Sequence, residues 1–268
     1  MPKRTIDGYL TGLERGHGMA VDPVNNEVAA TSDLASAVYI YSRTANGNVK
    51  PLRKLQGDKT QLLYPEGVFI DTVNNEIAIN NAGDKSVLFF SRTANGNVPP
   101  LRVIKGQTTG IVQSWGAWVD TEKNEYWTIN ASPFMKDIKD LSEYERLNSP
   151  AILVYPRLAN GDVAPIRRIY GNKAMLENPF TYTFDKKNYE IMITSFSIEP
   201  GKDVRSPHTI EGFVSVYDMR LSGNVAPKRV LRTNAFNLPA GIFVSPEHDE
   251  LGILEARDNM IMVFPRVW

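Results

Sequence analysis

One phrase recurs along the chain at a nearly fixed interval. Ser-Arg-Thr-Ala-Asn-Gly-Asn-Val stands at Ser42–Val49 and again at Ser91–Val98, with weaker copies at Pro156–Val163 and Met219–Val225. Each copy is followed by a proline and a basic, apolar stretch: KPLRKLQG, PPLRVIKG, APIRRIYG and APKRVLRT. A second phrase alternates with it: GMAVDPVNNEVAA, GVFIDTVNNEIAI, GAWVDTEKNEYWT, FTYTFDKKNYEIMI and GIFVSPEHDELGI. The residues that open this second phrase are His17, Glu66, Trp115, Phe180 and Ala240, at intervals of 49, 49, 65 and 60 residues. Self-similarity at periods of 20–50 residues marks repeat architectures, in which each repeat is one supersecondary unit.

Each unit reads as four strands. In the second unit these are Gly67–Asp71, Glu76–Asn81, Val87–Ser91 and Pro100–Lys105. Asn-Gly between apolar runs predicts a hairpin, because such turns need positive φ. Prolines at the head of the fourth strand suit an outer edge, where a missing N–H does no harm. Four-stranded units near 50 residues are propeller blades. The last unit stops after its third strand, and Pro2–Gly8 matches the fourth-strand pattern. The chain is therefore expected to be a single all-β domain, residues 1–268. It is a five-bladed β-propeller of four-stranded blades, its ring closed by the N-terminal strand completing the C-terminal blade.

The repeats resemble those of the NHL and SMP-30-like propellers, through the pattern G-[IV]-x-[VI]-D followed by Glu and an aliphatic residue. The resemblance spans nearly the whole chain. It implies a propeller architecture shared by scaffolds, sensors, lyases and metal-dependent hydrolases. In SMP-30-like hydrolases calcium is held by Glu, Asn and Asp at the channel-facing ends of the blades.

Recurrence separates scaffold from chemistry. Asp22, Asp71, Asp120 and Asp185 recur and fit side-chain-closed turns. Glu27, Glu76, Glu125, Glu190 and Glu250 open every second strand and are also read as structural. The residues before the first strand and at the end of the second vary between blades, and the topology brings both sets to one mouth of the channel. The first set offers His17, Glu66, Trp115 and Phe180. The second offers Ser32, Asn81, Asn130, Ser195 and Glu255, with Asp33 following Ser32. Two carboxylates brought together repel unless a proton or cation intervenes. Hard oxygen donors favour Ca²⁺, or alternatively Mg²⁺. Glu66, Asn81, Asn130 and Glu255 are the expected metal ligands, and polar residues in such a channel equally serve to hold water. The expected catalytic set is His17, Glu66 and Glu255. Trp115, Phe180, Ser195, Ser32, Asp33 and His208 are expected to line a substrate pocket. Insertions at 132–150 and 198–212 are expected over the same mouth, with a short helix within Lys136–Arg146.

Composition excludes several classes. Apolar residues make up 42% and charged residues 22%, which supports a sizeable core. The formal net charge is zero, so the field that draws a protein to nucleic acid is lacking. Cysteine is absent, which removes disulfides and thiolate metal sites. No run of 18 apolar residues proposes a membrane span. Met1-Pro2-Lys3-Arg4 shows no leader pattern, although a trimmed leader, as for a secreted or periplasmic protein, fits the abrupt start. The compartment and the oligomeric state stay open. No G-x-S-x-G, Walker loop, H-E-x-x-H or dinucleotide fingerprint is present.

The leading expectation is a calcium-dependent hydrolase of small esters, such as lactones or phosphotriesters, with His17 as general base or acid. The alternatives are a non-catalytic binding or scaffold propeller and a five-bladed glycosidase, the last using a pair among Glu66, Glu255 and Asp33.

Overall fold

The recurrent aspartates close the first hairpin of their blades. Asp22 Oδ1 accepts the Asn25 N–H (2.8 Å) and Oδ2 the Asn25 side-chain amide (2.7 Å). Asp71 does the same with Asn74 (2.9 and 2.7 Å), and Asp185 with Asn188 (3.1 and 2.7 Å). The residue before each strand-opening glutamate takes the left-handed conformation the turn demands: Asn26 (φ 55), Asn75 (φ 55), Asn124 (φ 54), Tyr189 (φ 58) and Asp249 (φ 58). The second hairpin places Gly47, Gly96, Gly161 and Gly223 at positive φ, as the Asn-Gly pattern predicts.

The computed structural model describes residues 2–131, 142–198 and 210–266. Its sheets are antiparallel and follow one another along the chain. The first contains β1 (Gly16–Asp22), β2 (Glu27–Ser32), β3 (Ala37–Ser42) and β4 (Arg53–Gln56). The second contains β5 (Pro65–Asp71), β6 (Glu76–Asn81), β7 (Ser86–Ser91) and β8 (Arg102–Ile104). The third contains β9 (Ser114–Asp120), β10 (Glu125–Asn130), β11 (Ala151–Pro156) and β12 (Arg167–Tyr170). The fourth contains β13 (Thr181–Asp185), β14 (Glu190–Ile198), β15 (Ile210–Asp218) and β16 (Arg229–Arg232). The fifth contains β17 (Pro239–Ser245), β18 (Glu250–Glu255) and β19 (Met260–Pro265). This is the five-bladed β-propeller that the repeat predicts. The chain divides into two units, one of Met1–Thr128 with Leu153–Ile166, the other of Ile129–Ile152 with Arg167–Trp268.

Within the first unit, blade packs on blade through aliphatic faces. Ala29, Val38, Ile40 and Leu55 of the first blade meet Val68, Ile70, Ile77, Ile79, Leu88 and Phe90 of the second. Within the second unit, Met192, Val214 and Val216 meet Leu251 and Ile253 in the same register. Outside these cores an ionic grip recurs. Glu27 takes two hydrogen bonds from Arg53 of its own blade (2.6 and 2.9 Å) and one from Arg92 of the next (3.1 Å). Glu76 repeats this with Arg102 (2.6 and 2.8 Å) and Arg157 (2.9 Å). Glu190 repeats it with Arg229 (2.9 and 2.8 Å) and Arg266 (3.6 Å).

Three expectations need correction. Among the described residues the fifth sheet has three strands. The N-terminal segment expected as its fourth makes the bridge that fourth strands make to the blade that follows: Ile6 meets Gly47 of the first blade as Leu55 meets Gly96 and Ile104 meets Gly161. The fourth strand of the second blade is shorter than Pro100–Lys105, because the prolines before it donate no N–H. The helix expected within Lys136–Arg146 is α1 (Glu143–Asn148), which starts where Ser142 and Glu145 form a reciprocal cap. Residues 132–141 of that insertion lie outside the described residues, and so do 199–209. No helix among the described residues is long and apolar enough to cross a membrane.

Candidate active site

The first strands of blades one and two each carry a register irregularity near their start, between Gly16 and Met19 in β1 and between Pro65 and Val68 in β5. His17 and Glu66 sit in these irregular stretches, and such bulges re-aim a side chain. The two strands approach so closely that a Cβ on Gly18 would lie 2.3 Å from the Glu66 carbonyl oxygen. Thr31 of β2 fixes the approach: its Oγ1 accepts the Gly18 N–H (2.7 Å) and donates to the Glu66 carbonyl (2.8 Å). A glycine and a threonine thus set His17 beside Glu66.

His17 Nδ1 is 2.5 Å from Glu66 Oε2, and Nε2 is 3.5 Å from Asp33 Oδ2. The two carboxylates differ in character. Glu66 is mostly buried, and burial raises its pKa above the ordinary value; His17 opposes that rise and the Asp33 charge adds to it. Asp33 is fully buried, which by itself would raise its pKa. Hydrogen bonds from Arg15 (Nε at 2.9 and 2.7 Å) and from the Leu34 N–H (2.6 Å) outweigh burial and hold it below the ordinary value. Arg15 NH2 also donates to Asp33 Oδ2. The Arg15 side chain is half exposed, as is the imidazole. A proton on Nδ1 would be donated to Glu66 and would leave Nε2, beside Asp33, as the basic nitrogen.

The other expected residues have different work. Ser32 Oγ accepts the Glu14 N–H (2.8 Å) and donates to the Glu14 carbonyl (2.5 Å). At the equivalent place Asn81 accepts the Leu63 N–H (2.6 Å) and donates to the Gln61 carbonyl (2.8 Å). In the fifth blade Glu255, fully buried, accepts the N–H groups of Asn237 and Leu238 (both 2.9 Å) and of Arg257 (3.0 Å). Asn130 donates to the Asn148 carbonyl (2.7 Å). Ser32, Asn81 and Glu255 therefore perform one task, tying the end of the second strand to the connection that enters the blade, whereas Asn130 holds the connection between its second and third strands. Ser195 is buried at the same place, with no hydrogen-bond partner for its Oγ among the described residues. Trp115 and Phe180 lie half-buried in their blades, Trp115 in the first unit and Phe180 in the second. His208 lies outside the described residues. Arg15 was not anticipated: it stands two residues before His17, where blade two has Tyr64, and both hold positive φ (47 and 49).

The residues expected to hold calcium or magnesium have other bonds in the structure. The Asn81 amide oxygen and both Glu255 oxygens accept backbone N–H groups, a structural use that explains their presence without an ion. Ligand atoms of His17, Asp33 and Glu66 do lie within 4.8 Å of one another, close enough for one ion. The Asp33 oxygens also accept from Arg15 and the Leu34 N–H, so a guanidinium already balances that carboxylate's charge. Asp33 and Glu66 also make a poor glycosidase pair, since one is held in an ion pair and the other hydrogen-bonds the imidazole between them.

No protein family and no curated protein matches the chain. Solved structures match in fold. A hydrazine synthase of Kuenenia stuttgartiensis is 10% identical at a TM-score of 0.66, over 93% of this chain and 64% of that one. A nidogen/laminin complex gives 14%, 0.61, 94% and 76%. A protein of Bacteroides uniformis provisionally assigned as a 6-phosphogluconolactonase gives 10%, 0.57, 91% and 65%. The chain thus spans less than two thirds of the hydrazine synthase and lactonase-like chains. At these identities the likeness carries the propeller fold and no activity.

Proposed function

We propose that the chain is a hydrolase of small esters, lactones first among them, with His17 as general base. The observation that supports this reading is the imidazole held between two unlike carboxylates. Glu66 fixes the Nδ1–H tautomer and stabilises the imidazolium that forms. Nε2 takes a proton from water as the oxygen attacks the ester carbonyl carbon. The guanidinium of Arg15, anchored by Asp33, faces the negative charge that develops on the carbonyl oxygen. Collapse breaks the acyl–oxygen bond, and the leaving alkoxide takes the proton back from His17. No metal enters these steps. The lactonase-like neighbour shares the fold, and its assignment suggests the substrate class to test first.

A panel of lactones and aryl esters tests the reading. Wild-type protein is expected to turn over at least one of them. His17→Asn should lose about 100-fold or more in kcat, within the ordinary contribution of a general base. Circular dichroism should show the fold retained. A wild type inert to the whole panel, or an unimpaired His17→Asn, would overturn the reading.

A further inference from the structure

The groups that hold His17 also meet the demands of a metal ion. Three donors come from separate places in the chain: His17 from β1, Asp33 from just after β2, and Glu66 from β5. One donor atom of each lies within 4.8 Å of the other two. His17 Nε2 and Asp33 Oδ2 are 3.5 Å apart. Two donors each about 2.1 Å from a tetrahedral ion stand roughly 3.4 Å from one another, so this pair already has the spacing of two ligands.

The surroundings of Asp33 suit the same use. Carboxylates that bind metals are themselves held by hydrogen bonds. Asp33 is fully buried, and Arg15 Nε (2.9 and 2.7 Å) and the Leu34 N–H (2.6 Å) fix its plane. Each carboxylate oxygen has more than one acceptor direction, so these bonds and a metal bond are compatible.

Charge argues independently. Two carboxylates, Asp33 and Glu66, share the cluster with one guanidinium. Arg15 is spent on Asp33. Glu66, its side chain only 14% exposed, bonds the imidazole instead. A carboxylate kept from water with its charge unbalanced draws in a proton or a cation. The imidazole supplies the proton, and a dication supplies the alternative. The imidazole also sets the metal class. Nitrogen with carboxylate donors suits zinc and its late first-row neighbours, whereas Ca²⁺ and Mg²⁺ take oxygen donors. His17 is 38% exposed, which gives a hydrated ion a way in.

We propose that His17, Asp33 and Glu66 bind one late first-row divalent metal ion, with zinc the expected occupant. His17 Nε2 and Asp33 Oδ2 bind as they stand. A rotation of the Glu66 side chain exchanges its bond to Nδ1 for the ion, and water fills the remaining positions. The ion takes the nitrogen that the hydrolase reading gives to the proton. Metal occupancy and general-base use therefore exclude one another, and zinc binding itself does not rest on that reading.

Calorimetric titration of zinc chloride into the chelator-treated full chain tests this. One ion per chain should bind. His17→Asn and Glu66→Gln should each weaken binding about tenfold or more. His248→Asn, which alters an exposed imidazole bonded to Ser245 (2.8 Å), should leave it unchanged. Cobalt(II) in place of zinc should give visible absorption that His17→Asn abolishes. Circular dichroism should show the fold retained in every variant. A wild type that binds no zinc would overturn the proposal. So would binding that persists at full strength in His17→Asn, which would mark an adventitious ion only. Heat and colour are read without any ester. A protein inert to every lactone therefore leaves the zinc result standing, and a protein that turns over lactones without binding zinc fails this proposal alone.

Discussion

At the scale of the residue, the candidate site lies where one blade departs from its repeat. His17, Arg15 and Asp33 stand where the second blade has Glu66, Tyr64 and Ala82, and the backbone is the same: the Asp33 N–H meets the Arg15 carbonyl (3.4 Å) as the Ala82 N–H meets that of Tyr64 (3.2 Å). A shared frame carrying an unshared triplet made His17, Asp33 and Glu66 legible in sequence. Arg15 was legible by the same comparison and was missed because it sits two residues upstream of the repeat. The same logic misled at Ser32, Asn81 and Glu255, whose side chains differ while their task does not. A hydroxyl, an amide and a carboxylate can each accept a backbone N–H, so variation there reflects interchangeable acceptors. The Glu66 carboxylate yields a pH prediction. It must be ionised to hold the Nδ1–H tautomer, and burial raises its pKa above the ordinary 4.5. Activity should therefore fall on the acid side at a pH above 4.5, and Glu66→Gln should remove Glu66's contribution to that limb while lowering kcat. A kcat/KM profile of the two proteins checks this.

At the scale of the element, the spacing of the first strands decides whether the site exists. Gly18 and Gly67 both lie where a neighbouring first strand passes: a Cβ on Gly67 would come within 2.6 Å of the Gly116 Cα. These contacts are with backbone, which yields less than a side chain. Gly18→Ala should separate β1 from β5 and break the Thr31 bridge. The expected cost is roughly 1–3 kcal/mol, the usual range for overpacking. The loss of activity should exceed what that destabilisation explains, because His17 and Glu66 part. Chemical unfolding and turnover measured on the same sample would check both. The repeat made these glycines visible in sequence, but not their purpose, since close approach between strands about 49 residues apart is a tertiary fact.

At the scale of the whole molecule, stability rests on a small set of recurring junctions. Glu27, Glu76 and Glu190 have pKa values held below the ordinary 4.5. Hydrogen bonds from Arg53 lead at Glu27; at Glu76 and Glu190 the arginines overcome the opposing effect of burial. A carboxylate depressed on folding contributes stability that is complete above its unfolded value and is lost as pH falls through its folded value. The melting temperature should hold from neutrality to about pH 5 and decline below it. Glu76→Gln should flatten that decline and cost about 2–3 kcal/mol at neutral pH, somewhat less than for a fully buried pair. A pH series of thermal melts checks both. Blade number and strand order were legible because each blade restates them. The three-stranded fifth sheet of the described residues was not, since Pro2–Gly8 has both the fourth-strand pattern and the fourth-strand bridge, from Ile6 to Gly47.

The grips have a direction. Arg92 reaches back to Glu27, Arg157 to Glu76 and Arg266 to Glu190, so each of these three arginines binds the blade before it. Tension applied at the C terminus would first meet Arg266, which holds Glu190 at 3.6 Å and Asp185 at 3.3 Å. Release of that one side chain frees the fifth blade from its ionic tie before any other junction bears load. Pulled from this end, the protein would yield in steps of one repeat, like a zipper opened from its slider.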